Sequence, residues 1–197
     1  MTASDLLSAL TPVVDAFDAL GVPYFVGGSL ASSAHGVPRA SHDADVVADL
    51  DAPHVVPLVT RLDPTYYVEV GRVRAAVVAR RSFNLIHLAT MFKIDVFVSK
   101  RRPFDREALY RARPAPLDDA ADARLFRLAS PEDTILAKLE WFRAGGEVSD
   151  RQWSDIVGVL KLMGPRIDKE YLGRWATALR VRDLMDRALA ESTPGQE

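Results

Sequence analysis

The stretch VGGSLASSAHGVPRASHDADVV, Val26 to Val47, decides how this chain is read. A short apolar strand, Tyr24 to Val26, runs into Gly27-Gly28-Ser29, and the small residues up to His35 read as one or two helical turns closed by Gly36. Asp43 to Asp49 then alternates, with Ala44, Val46 and Ala48 on one face and Asp43, Asp45 and Val47 on the other. A strand that ends in glycines and enters a helix exposes backbone N–H groups at a positive helix end. That geometry suits phosphate oxygens, and Ser29 adds a hydroxyl. Such turns also form for steric reasons alone. Asp43 and Asp45, two apart on a strand, point the same way and stand within a metal's width of each other. They are either hard oxygen ligands suited to Mg²⁺ or a pair of solvated acids at a strand edge.

The stretch MFKIDVFVS, Met91 to Ser99, bears on that choice. Asp95 lies in the middle of an apolar strand, opposite the face of Ile94, Val96 and Val98. A carboxylate there must be paired with a neighbouring Arg or Lys, or coordinated, to offset its desolvation. Three aspartates on adjacent strands can hold two metal ions, and Asp95 can instead serve as general base to an attacking hydroxyl. In the later helical segment AKLEWFRAGG, Lys138 has Ile135, Trp141 and Phe142 as helical neighbours, so it reads as a phosphate partner or as a snorkelling side chain. Asp155, flanked by Val159 and Leu162, reads as a late acidic site residue or as a first-turn acid favoured by the helix dipole. His35, His42, His54 and His87 have no ligand spacing for a transition metal.

The rest of the chain frames these residues. It has 197 residues, 48% apolar and 26% charged, the composition of an ordinary globular protein. Its net charge of −2 gives no electrostatic signal for a nucleic-acid partner, and the absence of cysteine excludes zinc-finger and disulfide frameworks. No apolar run is long enough to span a membrane, so a cytoplasmic protein is expected. An amphipathic helix built on Leu6, Leu10, Val13 and Phe17 ends at Gly21-Val22-Pro23, and another runs through His54 to Leu62. Strands are expected over Tyr66 to Val70, Val73 to Arg80, Phe83 to Thr90 and Met91 to Ser99. Arg101 to Arg127 reads as a weakly periodic connector with Pro114 and Pro116, the boundary between halves. Beyond it, Ser130-Pro131-Glu132-Asp133 starts a helix that Gly145-Gly146 end, and Ser149 with Gln152 starts the next. Helices near Lys169 to Leu179 and Arg182 to Glu191 complete an α+β chain, with a catalytic domain expected over 1–128 and a helical region over 129–197.

Gly28-Ser29, thirteen residues, then Asp43-Ala44-Asp45-Val46 resembles the signature of the DNA polymerase beta-like nucleotidyltransferases. The intervening GVPRASHD is similar to the Gly…Arg-x-Thr-x-Asp approach of small bacterial members, with Ser41 in the Thr position, and Asp95 matches their third carboxylate. The segments SPEDTILAKLEWFR and RQWSDIVGVL resemble the C-terminal part of abortive-infection-type members, which include toxins of toxin–antitoxin pairs. The resemblance implies a mixed sheet with flanking helices, followed by a helical region that completes an active-site cleft. It implies transfer of a nucleoside monophosphate from an NTP to an acceptor hydroxyl of RNA, protein or a small molecule, with pyrophosphate released. It assigns Asp43, Asp45 and Asp95 to Mg²⁺ (two ions, with Mn²⁺ as substitute) and to catalysis, and Gly27, Gly28, Ser29, Arg39 and Lys138 to the nucleotide. A cognate antitoxin is the protein partner it implies. The same fold also serves as a catalytically silent partner in some members, which is the alternative. A phosphatase with a DxD nucleophile needs an apolar strand before the first Asp, and Arg39-Ala40-Ser41-His42 stands there instead. A DxD glycosyltransferase needs a nucleotide-sugar fold upstream, for which there is no room.

Overall fold

The computed structural model describes residues 3–36, 38, 40–118, 120 and 122–193. The first helix, α1 (Ala3–Ala19), buries Leu10, Val13, Val14 and Phe17, the apolar stripe that its spacing predicts. β1 (Tyr24–Val26) is wholly buried. After α2 (Gly28–His35), β2 (Asp43–Ala48) alternates as expected: Ala44, Val46 and Ala48 are fully buried while Asp43, Asp45 and Val47 are half-exposed. A 3₁₀ turn (Ala52–His54) leads into α3 (Val55–Leu62).

Three expectations of the sequence need correction here. Val73 to Arg80 is not a strand but the body of a helix, α4 (Val70–Ala79), and β3 is only Tyr66–Tyr67. The three buried residues of α4, Val73, Ala76 and Val77, are spaced i, i+3, i+4, so helical periodicity overrides the β-branched composition. β4 (Ser82–His87) and β5 (Lys93–Val98) follow. The supposed connector contains α5 (Pro103–Arg111), β6 (Arg113–Pro116) and β7 (Leu125–Leu128). Pro114 and Pro116 mark not a boundary but an edge strand, where a missing N–H costs no ladder bond.

Among the described residues, seven strands form one mixed sheet in the order β3-β4-β5-β2-β1-β7-β6. β2 runs parallel to β5 and β1 parallel to β7, and the other pairs are antiparallel. Two arginines pin the far end of β2 beside β5. Arg101 donates to Asp49 (2.6 Å) and Asp51 (2.5 Å), and Arg80 donates to Asp51 (2.7 Å) and to the Ser99 carbonyl (3.2 Å). This clamp lies just past the strand ends, so it fixes the register in which the β2 and β5 side chains face each other.

The helical part contains α6 (Pro131–Ala144), α7 (Asp150–Met163), α8 (Lys169–Ala178) and α9 (Arg182–Ser192). Its start signals act as written in the sequence. The Ser130 hydroxyl accepts from the Asp133 N–H (3.1 Å), and the Ser149 hydroxyl accepts from the Gln152 N–H (3.3 Å). The chain divides into two compact units, Met1–Gly27 with Ala40–Leu128, and Gly28–Arg39 with Ala129–Glu197. α2 therefore belongs with the helices, where it packs on α6 and α7. Gly36 permits that approach. A Cβ there would fall 2.8 Å from the Ser32 carbonyl oxygen and 3.0 Å from Val159 Cγ2.

Candidate active site

Within the sheet unit, the parallel pairing of β2 with β5 sets Asp43 opposite Lys93 and Asp45 opposite Asp95. Cross-strand partners share a face, so Asp43, Asp45, Lys93 and Asp95 form one polar patch on the side away from Ala44, Val46, Ile94 and Val96. The antiparallel neighbour adds Asn84, the direct partner of Asp95. Gly27 is tied to the same patch from β1: its N–H donates to the Asp45 carbonyl oxygen (2.8 Å). Ser41, just ahead of the strand, donates its hydroxyl to Asp43 Oδ1 (3.1 Å). Asp95 is the most enclosed carboxylate of the measured pair, its side chain 16% exposed against 43% for Asp43.

Asp95 meets its desolvation with a cation of its own strand. Lys93 Nζ lies 2.6 Å from Asp95 Oδ2 and 3.9 Å from Asp43 Oδ2. Of the two states open to a carboxylate in that strand, paired or coordinated, the structure shows the paired one. The hydrogen bond to Asp95 raises the Lys93 pKa above its ordinary value against partial desolvation, and the charges of Asp95, Asp43 and Asp45 add to it. An open groove of about 620 Å³ adjoins the patch through Asn84, between α4 and β4, with Tyr67, Glu69, Arg72 and Ile86 among its walls.

The helical unit brings two other expected residues together, with each other. Lys138 of α6 and Asp155 of α7 form an ion pair at 2.9 Å, with side chains 10% and 11% exposed. Lys138 is thus buried and paired rather than snorkelling. Asp155 lies beyond the first turn of α7, so dipole compensation is not its role. In the same unit Gly28 opens α2 with φ of +54°, the left-handed region that glycine enters freely, and Ser29 follows it in the first turn. Arg39 lies outside the described residues.

Neither a protein-family model nor a curated protein sequence matches the chain. Solved structures do resemble it. The antibiotic-resistance factor ANT(2'')-Ia superposes with a TM-score of 0.59 at 15% identity, over 98% of this chain and 100% of that one. An antigenic nucleotidyltransferase-like protein from Paracoccidioides brasiliensis superposes with a TM-score of 0.55 at 18% identity, over 97% of this chain and 94% of that one. This is a nucleotidyltransferase fold. The lincosamide antibiotic adenylyltransferase LnuA, bound to lincomycin, gives a TM-score of 0.47 at 17% identity over 81% of this chain.

On this nucleotidyltransferase fold, the carboxylates fit a hard divalent cation in donor type and in facing. They do not yet converge as a cage: among the described residues no three His, Cys, Asp or Glu side chains are grouped to hold a metal ion. Lys93 stands among them as a resident positive charge. Sequence reasoning missed Lys93 and Asn84. Lys93 was visible two residues before Asp95, on the same strand face, but which acid it pairs with follows from the register. No described helix is long and apolar enough to cross a membrane.

Proposed function

We propose that the chain is a metal-dependent nucleotidyltransferase, acting in the cytoplasm, that moves a nucleoside monophosphate from an NTP to an acceptor hydroxyl. The observation that carries this is the parallel register of β2 and β5, which aligns Asp45 with Asp95 and puts Asp43 on the same face of a nucleotidyltransferase fold. Asp43 and Asp45 would hold Mg²⁺ or Mn²⁺, with Asp95 as their third carboxylate. Bound metal would neutralise the triphosphate and make the acceptor hydroxyl more acidic. Asp95 accepts the hydroxyl proton, the acceptor oxygen bonds to the α-phosphorus, and the bond from that phosphorus to the pyrophosphate oxygen breaks. Gly28 and Ser29 bind phosphate oxygens through backbone N–H groups and the Ser29 hydroxyl, while Gly27, whose own N–H is committed to the Asp45 carbonyl oxygen, lets the nucleotide approach the turn closely. Arg39 adds positive charge, and Lys138 does so only on release from Asp155. The groove beside Asn84 gives the acceptor an approach to Asp95. One role open to the enzyme with RNA or protein as acceptor is that of a toxin, with a cognate antitoxin as its protein partner.

A second reading, a silent nucleotidyltransferase fold kept as a binding partner, draws on the Lys93–Asp95 ion pair, which leaves the third carboxylate already neutralised. One experiment separates them. NTP with Mg²⁺ at 100 times its dissociation constant stabilises the fold by about 2.7 kcal/mol, a shift of several degrees in melting temperature. The double substitution Asp43→Asn/Asp45→Asn is expected to abolish the shift. If no NTP moves the melt at millimolar concentration, the enzymatic reading fails. Incubation with each α-labelled NTP and RNA, protein or small-molecule fractions then identifies the acceptor, whereas label in none supports the silent partner.

A further inference from the structure

Lys93 is not a bystander to the carboxylates. It occupies the register position opposite Asp43, points to the same face, and hydrogen-bonds Asp95 at 2.6 Å. A divalent ion bonded to Asp95 Oδ2 at ~2.1 Å would sit within about 4.7 Å of the Lys93 ammonium, since both would share one oxygen. At that separation the repulsion weakens binding about twentyfold even at the dielectric constant of water, and more in a partly enclosed site. A tethered ammonium two residues away on the same strand face needs no recruitment from solution, so it holds this position at any metal concentration that does not outcompete it.

We propose that Lys93 takes the place of the second cation, leaving this chain with one exchangeable divalent site, on Asp43 and Asp45, while the Lys93 ammonium balances Asp95. The proposal rests on the metal-dependent reading above and specifies its stoichiometry. Lys93 holds Asp95 through the 2.6 Å contact, and the Ser41 hydroxyl donates to the Asp43 carboxylate that the metal would share with Asp45. The expected ligand is a single hard divalent cation with water and phosphate oxygens in its remaining positions.

The test is Mn²⁺ binding to the full chain without nucleotide, followed by the loss of the free-ion electron paramagnetic resonance signal. The wild type is expected to bind one Mn²⁺, and Asp43→Asn/Asp45→Asn to bind none. Lys93→Met is expected to gain a second ion, at Asp95, where the ammonium that weakens binding about twentyfold is gone. Lys93→Arg keeps the charge and is expected to retain one ion, and circular dichroism confirms that each variant is folded. Two ions of similar affinity in the wild type overturn the proposal. So does a Lys93→Met protein that binds like the wild type, and in that case the metal reading survives if the double aspartate variant has lost its ion. Absence of Mn²⁺ binding in every form overturns both.

Discussion

Replacing Lys138 with methionine tests whether the buried ion pair to Asp155 is what locks α6 to α7. The two charges are 2.9 Å apart and their side chains are 10% and 11% exposed. At an effective dielectric constant of 20 their attraction is about 6 kcal/mol, most of which is offset by the desolvation of both groups. Removing one partner forfeits the attraction but leaves the other group's desolvation in place, so Lys138→Met is expected to destabilise the helical unit by about 3 kcal/mol. That corresponds to a fall in melting temperature of roughly 6–12 °C. The double change Lys138→Met/Asp155→Leu removes both charges and is expected to return to within about 1 kcal/mol of the wild type. Trp141, Trp153 and Trp175 are the chain's three tryptophans, and all belong to the helical unit. Their fluorescence in a urea titration therefore reports that unit alone. A coupling energy below about 0.5 kcal/mol in the double-mutant cycle would refute the argument, because independent effects simply add.

Two further outcomes follow from single groups. Tyr24, whose hydroxyl donates to Asp18 (3.3 Å), has its pKa pushed up to about 12, first by burial and then by the Asp18 charge. The unfolded phenol ionises near pH 10, so the stability linked to Tyr24 is complete below pH 10 and declines as pH rises from 10 towards 12. Tyr24→Phe should flatten part of that decline in denaturant midpoints measured from pH 9 to 11. Only part is removed, because Tyr66, buried and donating to the Ala9 carbonyl (2.6 Å), is shifted in the same direction; a variant with the wild-type pH slope would contradict the assignment. Gly28→Ala forces a side chain into the left-handed region at φ +54° and is expected to lower stability by about 1–2 kcal/mol, and an unchanged urea midpoint would show that the turn relaxes.

The parts of the molecule legible in the sequence are those where one physical signal acts alone. Alternation placed β2 and β5 and assigned their faces, because one side is fully buried and the other carries ionisable groups. Serine caps and glycine stops placed α6 and α7. Where two signals conflicted, composition misled. Val73, Val77 and Val78 speak for a strand, yet the buried set Val73, Ala76 and Val77 has the helical period. β6 was hidden because an edge strand tolerates prolines and arginines, which resemble a linker when read in order, and β7, which lies between β1 and β6, because it is only four residues long. The three carboxylates could be found one by one from their strands. The pairing of Asp45 with Asp95, the lysine between Asp95 and Asp43, and Asn84 alongside depend on which strands become neighbours, and that is a tertiary fact.

The assignment of α2 to the helical unit has a consequence for how the protein can be cut and inherited. The chain leaves the sheet unit after Gly27, returns at Ala40 and leaves again after Leu128, so neither unit is a continuous segment. A fragment comprising only 129–197 lacks Leu30, Ala31 and Ser32, which are buried in the native protein. Nor does a break at Leu128 yield a clean sheet unit, since the fragment still carries α2, stripped of the helices it packs on. The helical unit therefore cannot be traded as a cassette between relatives by one crossover, and its sequence must change in step with a few residues embedded in the other unit's gene segment.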